Sequence, residues 1–170
     1  MKVLFLGICL LFSVLLSAQV PQLELKPNGF DPVTVTLPPA NTKKLIALTK
    51  SWVSEHRRSS EVVEVSNITD NSLIITVYKQ HAFYYRERGE AFYQNIKMLM
   101  KVEFRNESFN LAVSVPEIYS EEGRLLKYHI PDYFTSEGNM KDGYDGLKES
   151  LELTVNRIAG NYYNFLVNYR

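Results

Sequence analysis

The sequence predicts an α+β fold in which about five to six strands and two helices follow the order β-α-β-β-β-β-(β)-α. Two segments between residues 93 and 115 alternate apolar and polar side chains, as half-buried strands do. Two further segments, 41–53 and 147–166, repeat apolar residues every three or four positions, as amphipathic helices do. The strands therefore form an antiparallel sheet with one apolar face, and the helices cover that face.

The first eighteen residues have the pattern of a secretory signal peptide. Lys2 precedes an apolar run from Val3 to Leu16, and small residues follow it. We therefore expect cleavage between Ala18 and Gln19. The run is too short to span a bilayer comfortably. With no second apolar segment after it, we expect an exported protein without a transmembrane segment.

Cysteine content and net charge limit the kinds of site that the mature chain can form. Cys9 is the only cysteine and lies within the signal, so disulfides, a catalytic thiol and thiolate metal sites are excluded afterwards. Ile8 stands before Cys9 where a lipoprotein signal has a small residue, and we expect no lipid anchor. The whole chain has 19 basic and 19 acidic residues. Loss of Lys2 leaves a net charge of about −1, which implies no class of partner.

The mature chain begins with a leader, a strand and a helix. Residues 19–31 contain prolines and a glycine and predict an extended leader rather than a packed element, followed by a single domain over 32–170. The alternation from Val33 to Leu37 predicts the first strand. Asn41 is the expected N-cap of a helix whose apolar stripe includes Trp52. Trp52 fits the core better than its alternative role as a ligand platform.

Two strands precede the central hairpin. Residues 62–65 predict a short strand, and 73–85 predict a longer one. In residues 73–78 the odd-numbered and the even-numbered positions are both apolar, so alternation does not show which set faces the core. A β-bulge or burial on both faces of the sheet would explain this pattern. Residues 86–91 are expected to form a loop that leads into the hairpin.

The central hairpin has two apolar rows that flank a polar turn at residues 105–108. Because neighbouring residues of a strand point to opposite faces, we expect Met100 in the core and Lys101 facing away. The apolar rows are Ile96, Met98, Met100, Val102 and Phe104 in the first arm, and Phe109, Leu111, Val113 and Val115 in the second.

After the hairpin the pattern weakens and then becomes helical. Residues 116–143 contain several glycines and prolines and predict loops, with short pairing near 125–130. Apolar residues from Leu147 to Leu166 predict the second covering helix. Gly160 in this helix indicates either a close contact or bend, or simply a tolerated glycine.

Together these features resemble a secreted bacterial family known as a domain of unknown function with a TATA-box-binding-protein-like fold. The resemblance implies a curved antiparallel sheet with both helices on one face, in a periplasmic or secreted protein, and it brings no catalytic residues. A helix-grip fold with a ligand cavity would show a similar order of elements. The features that carry the resemblance are the Ala18-Gln19 signal end, the helix with Trp52, the strands around 74–78 and 97–104, the arm 108–115, and the closing helix.

The sequence contains no motif for catalysis, cofactors or metals. His56, His81 and His129 are far apart and lack metal-ligand spacing. Nucleophile-elbow, phosphate-loop and dinucleotide-binding motifs do not occur. We therefore expect no catalytic residue, cofactor or metal. Acidic residues in the region 116–145 are interpreted as solvated loop charges rather than as a carboxylate pair. They are Glu121, Glu122, Asp132, Glu137, Asp142 and Asp145.

One aromatic cluster suggests recognition. Consecutive strand residues point to opposite faces, so Phe83, Tyr84 and Tyr85 cannot all be buried on the covered face. Tyrosine and arginine are enriched in binding interfaces, although such aromatics can also simply pair across strands. If the cluster binds a partner, at least two of its four rings at 84, 85, 92 and 93 should be exposed. The candidate binding residues are His81, Tyr84, Tyr85, Arg86, Arg88, Phe92 and Tyr93.

Two classes of function follow from these observations. The first is a non-enzymatic binding module of the cell envelope that recognises a protein or a glycan. The alternative is an envelope hydrolase that combines His81 or His129 with acids from distant loops. An exposed aromatic patch would favour the binding module, and a histidine and carboxylate in a closed pocket would favour the enzyme. Nucleic-acid binding is disfavoured by export and by the lack of excess positive charge.

Overall fold

The computed structural model describes residues 21–56 and 61–168. The expected signal peptide and its cleavage point between Ala18 and Gln19 lie outside these residues. The helices and strands are β1 (Leu25–Lys26), β2 (Gly29–Phe30), β3 (Val33–Thr36), α1 (Thr42–His56), β4 (Val62–Ser66), β5 (Ser72–Glu87), β6 (Glu90–Arg105), β7 (Ser108–Ser120), a 3-10 helix (Ile130–Tyr133) and α2 (Leu147–Asn168).

The main sheet has five antiparallel strands in the order β3-β7-β6-β5-β4. Both helices pack on one face of it: α1 lies against β4, β5 and β6, and α2 lies against β5 and α1. This face is called the covered face below, and the opposite one the open face. The predicted fold class is confirmed.

The central hairpin is longer and its turn tighter than predicted. Arg105 pairs with Ser108, so the turn consists of Asn106 and Glu107 alone. Met100 is fully buried opposite Val113, whereas Lys101 is exposed, as the alternation predicted.

The structure also assigns the faces of β5. Leu73, Ile75 and Val77 are buried, and the residues between them are only half-buried. The residues on the open face pack less closely but are partly apolar. For this reason both the odd-numbered and the even-numbered positions of the segment are apolar in the sequence. The β-bulge lies further along the strand, between Lys79 and Phe83.

The predicted helical stripes are buried against the sheet. Asn41 caps α1, because its Oδ1 accepts a hydrogen bond from the Lys43 amide at 2.8 Å. Trp52 is 1% exposed and packs against Tyr162 of α2, with ring centroids 5.2 Å apart, so it is a core residue. A Cβ added at Gly160 would meet no side chain within 4 Å, which favours the tolerated-glycine interpretation over a close contact.

The prediction of an unpacked leader over 19–31 is wrong for its described part. Leu23, Leu25 and Phe30 are buried in the core, and β1 and β2 form a small antiparallel pair. Side chains of α2 supply the backbone hydrogen bonds: Asn156 bonds both the amide and the carbonyl of Leu23 at 2.8 Å, and Glu152 accepts from the Leu25 amide at 2.7 Å. The segment was missed because its strands are only two residues long and its burial depends on contacts with α2, which local pattern does not reveal.

The region 116–143 is mainly loop, as predicted, but β7 continues through Pro116 to Ser120. The expected pairing near 125–130 reduces to a bridge between Tyr119 and Leu125 and a bond from the Leu126 amide to the Ile118 carbonyl at 2.8 Å. A sixth strand of the main sheet therefore does not form in this part of the chain.

Candidate recognition surface

The aromatic cluster lies on a tight hairpin and not on the predicted loop over residues 86–91. Arg86 pairs with Ala91 and Glu87 with Glu90, which leaves Arg88 and Gly89 as the turn. Both turn residues have positive φ, 52° and 87°. Two such residues match the twist of the flanking strands, and the second is a glycine, which adopts this conformation without strain. The strands therefore extend almost to the hairpin tip and hold the aromatic side chains in register.

The sheet divides the predicted binding residues between its two faces. On the open face, Tyr84 lies directly opposite Tyr93, with ring centroids 5.8 Å apart. His81 lies 5.4 Å from the Tyr93 ring, and the Arg86 guanidinium carbon lies 5.8 Å from the Tyr84 ring centroid. Tyr93 is 42% exposed. These four residues, His81, Tyr84, Arg86 and Tyr93, are called the aromatic surface below.

Tyr85 and Phe92 lie on the covered face instead. Their rings stack at 5.4 Å, and Tyr85 also contacts the ring of Tyr144 at 5.0 Å. Burial raises the pKa of the Tyr85 hydroxyl, in line with its half-buried position. Phe92 ends this row and is 38% exposed. Phe92 and Arg88 line a shallow pocket of about 350 Å³ at the hairpin tip. Two of the four rings are thus exposed, Tyr93 on the open face and Phe92 at the hairpin end of the covered face.

His81 owes its position to the bulge in β5. Its φ is 48°, and its backbone amide donates to the Asn95 Oδ1 at 2.8 Å. The imidazole Nε2 lies 3.3 Å from the Glu121 Oε1, and these side chains are 58% and 54% exposed. The structure thus pairs a histidine with a loop acid, but at the open surface.

The other two histidines are elsewhere. The Nδ1 of His56 lies 2.9 Å from the Trp52 carbonyl within α1. His129 is exposed, and its backbone amide donates to Asp132 Oδ2 at 2.7 Å. Among residues 21–56 and 61–168, no group of three histidine, cysteine, aspartate or glutamate side chains is arranged to hold a metal ion.

A polar network next to the aromatic surface was not predicted. Lys97 of β6 lies between Tyr78 of β5 and Glu117 of β7 on the open face. Its Nζ is 2.7 Å from the Glu117 Oε1 and 5.7 Å from the Tyr78 ring centroid. The Tyr119 hydroxyl donates a short hydrogen bond to the same carboxylate.

These contacts change the acidity of the groups involved. Hydrogen bonds from Lys97 and Tyr119 lower the pKa of Glu117, and the bond to Glu117 raises the pKa of Tyr119. Sequence periodicity could show only that each residue suits the open face. The contact between Lys97 and Glu117 depends on a one-residue bulge opposite Met98, which local pattern does not reveal.

Neither described helix combines the length and apolar character that a membrane span requires, within the residues for which structure is available.

Comparison with known proteins adds a likeness of fold. No family model matches the chain, and no curated protein matches it. Among solved structures, the chain is similar to a DUF4468 family protein from Bacteroides ovatus, with a TM-score of 0.50, 10% sequence identity and coverage of 91% of each chain. At this identity the likeness shows a shared fold, and it agrees with the resemblance to a family of unknown function.

Proposed function

We propose that this chain is an exported, non-enzymatic binding module of the cell envelope, built on a TATA-box-binding-protein-like sheet. Its recognition site is the aromatic surface, with Arg88 and Phe92 at the adjoining hairpin tip. The observation that carries this proposal is the exposure of Tyr93 and Phe92 on hairpin arms that pair continuously over 83–87 and 90–94. Exposed aromatic anchors next to arginine are the side chains that dominate binding energy in interfaces.

The scaffold holds the aromatic surface rigidly. The Tyr84 amide donates to the Ser150 hydroxyl on α2 at 3.1 Å, and the Arg86 amide donates to the Asp145 carbonyl at 2.9 Å. Gly146 has a φ of 85°, and an added Cβ would lie 3.0 Å from the Tyr84 ring. A surface that is ordered before binding loses less entropy when a partner arrives.

The hydrolase alternative has less support. Its strongest observation is the contact between His81 and Glu121, and both side chains are more than half exposed. General acid and base groups depend on a sheltered environment that tunes their pKa values and excludes bulk water. A histidine and carboxylate at an open surface lack that environment, which favours binding over catalysis.

Export rests on the sequence of residues 1–18 and has a direct test. Intact-mass and N-terminal analysis of the protein recovered outside the inner membrane should show a chain that begins at or near Gln19. A chain that keeps residues 1–18, or one that carries lipid on Cys9, would contradict this part of the proposal.

Partner binding is tested by substituting the exposed rings. Phe92→Ala combined with Tyr93→Ala should leave stability nearly unchanged and should weaken capture of an envelope partner by more than about 1 kcal/mol. Ile68→Ala is the matched control, because Ile68 is an exposed apolar side chain in the turn before β5, at the opposite end of that strand from the hairpin tip. A stable double variant that captures the same partners as strongly as the control would show that these rings serve only cross-strand packing.

A further inference from the structure

The open face carries a groove whose shape and lining suit a small polar ligand. It has a volume of about 330 Å³ and is lined by residues of β5, β6 and β7, among them Tyr78, Asn95 and Tyr119. This volume lies at the lower end of the range for small-molecule sites, roughly 300–1,000 Å³. The groove therefore accommodates a small ligand or one unit of a longer chain.

The polar groups in the groove and along its border are held in place by the protein itself. Asn95 and Tyr119 line the groove, and Lys97 and Glu117 lie beside it. Glu117 accepts hydrogen bonds from Lys97 and from the Tyr119 hydroxyl. The Asn95 amide nitrogen donates to the Ser120 carbonyl at 2.9 Å, and its oxygen accepts from the His81 amide. A carboxylate offers about four lone-pair positions. Glu117 can therefore accept further hydrogen bonds, such as those from ligand hydroxyl groups.

The charges around the groove are balanced in pairs. Lys97 pairs with Glu117 at 2.7 Å, and Lys79 pairs with Glu61 at 3.0 Å, where both side chains are less than one-fifth exposed. A charged ligand would have to compete with these ion pairs, whereas a neutral ligand with hydroxyl groups would leave them intact. The electrostatics of the groove thus favour an uncharged, hydrogen-bonding ligand.

The groove continues into the aromatic surface along β6. Lys97, Asn95 and Tyr93 are alternate residues on the open face, and four residues of strand span about 13 Å. At one end Tyr78 is 36% exposed, and at the other Tyr93 presents its ring. Tyrosine offers an apolar ring face together with a polar edge. This combination suits a sugar, whose C–H face packs on a ring while its hydroxyl groups form hydrogen bonds.

We propose that the groove is the subsite for one unit of a neutral saccharide and that an uncharged oligosaccharide lies along β6 from Tyr78 to Tyr93. The inference rests on the proposed binding function and names the chemical class of the ligand. A protein partner fits this region less well, because protein interfaces need about 800 Å² from each side and a largely uncharged core. The groove is instead bordered by a fixed network of charged and hydroxyl groups, in which Lys97 and the Tyr119 hydroxyl bond to Glu117.

The test is a titration of the mature chain with defined oligosaccharides, followed by NMR and calorimetry. The probes are neutral hexamers of glucose with α or β linkage, a hexamer of N-acetylglucosamine, and a hexamer of galacturonate as the anionic comparison. At least one neutral hexamer should bind and shift the amide resonances of Asn95 and Tyr119. Tyr78→Ala should weaken that binding by about tenfold or more, whereas Tyr128→Ala, an exposed tyrosine outside the groove, should not.

A second variant tests the charge balance. Glu117→Gln leaves Lys97 without its carboxylate partner, so binding of the neutral hexamer should weaken and binding of galacturonate should strengthen. Thermal unfolding of each variant confirms that it is folded. The inference is overturned if no neutral hexamer binds at concentrations up to about 10 mM, if only galacturonate binds the native chain, or if Tyr78→Ala binds like the native chain.

The outcomes separate this inference from the proposed function. If the Phe92 and Tyr93 substitutions abolish capture of an envelope partner while no saccharide binds, the binding function stands and the saccharide inference fails. If a neutral hexamer binds in a manner that depends on Tyr78, while partner capture is indifferent to Tyr93, the groove stands and the aromatic surface is wrong as the site of partner capture.

Discussion

A buried hydrogen bond joins the two helices, and its energetic contribution can be predicted from geometry. The Tyr162 hydroxyl of α2 lies 2.8 Å from the Thr49 Oγ1 of α1, and both residues are fully buried. The Thr49 hydroxyl also donates to the Leu45 carbonyl at 2.8 Å. Because threonine has a single hydroxyl proton, Tyr162 must be the donor and Thr49 the acceptor in the bond between the helices.

This assignment predicts unequal costs for the two single substitutions. Tyr162→Phe removes the donor and leaves Thr49 bonded to Leu45, so it should cost about 1 kcal/mol of unfolding free energy. Thr49→Val leaves a buried tyrosine hydroxyl without an acceptor, which should cost about 1–3 kcal/mol. The double variant replaces the pair by apolar groups of similar shape. Its cost should fall short of the sum of the single costs by about 1 kcal/mol or more.

Urea unfolding, followed by the fluorescence of the neighbouring Trp52, measures these free energies.

Burial raises the pKa of the Tyr162 hydroxyl above its ordinary value of about 10. The folded state therefore favours the neutral hydroxyl, and this contribution is complete below pH 10 and is lost as pH rises through the folded pKa. Tyr162→Phe should consequently lose less stability than the native chain between pH 9 and pH 11. Equal single costs would refute the donor assignment. Additive single costs would show that the two hydroxyl groups do not interact, and identical losses at high pH would contradict burial of the neutral Tyr162 hydroxyl.

Two further predictions concern the sheet register and the N-terminal segment. Met100→Asp buries an unpaired charge and should lower the free energy of unfolding by more than about 3 kcal/mol. Lys101→Asp on the open face should lower it by less than about 1 kcal/mol. Equal urea midpoints for the two variants would show that the register is wrong. Asn156→Ala removes both bonds to Leu23, so limited proteolysis should cut residues 21–32 faster while the sheet stays protected. An unchanged cleavage rate would show that burial of Leu23 alone holds the segment.

Sequence periodicity was a reliable guide where an element has one buried face. The alternation of β6 separates Met100 from Lys101, and the apolar stripe of α2 runs from Leu147 to Leu166, as the structure has it. In such elements the burial of apolar side chains and the backbone geometry point to the same conformation. The five-stranded sheet and its two covering helices therefore follow from local pattern.

Pattern failed where an element is held by distant parts of the chain. The segment around Leu23 and Leu25 is short and rich in turn residues, and its backbone amides bond to Asn156 and Glu152, more than a hundred positions away. The hairpin turn at Arg88 and Gly89 was read as a longer loop because the pairing beyond it depends on the strand partners and not on the turn residues alone.

For the candidate site, the sequence by itself determined that aromatic and basic residues flank one hairpin and that they cannot all be buried. Tertiary structure decided which of them share a face: Tyr84 joins Tyr93, while Tyr85 joins Phe92. The network of Lys97, Glu117 and Tyr119 depended still more on tertiary structure. Side-chain direction along one strand is a local property, but contacts across three strands depend on register and bulges, which only the assembled sheet defines.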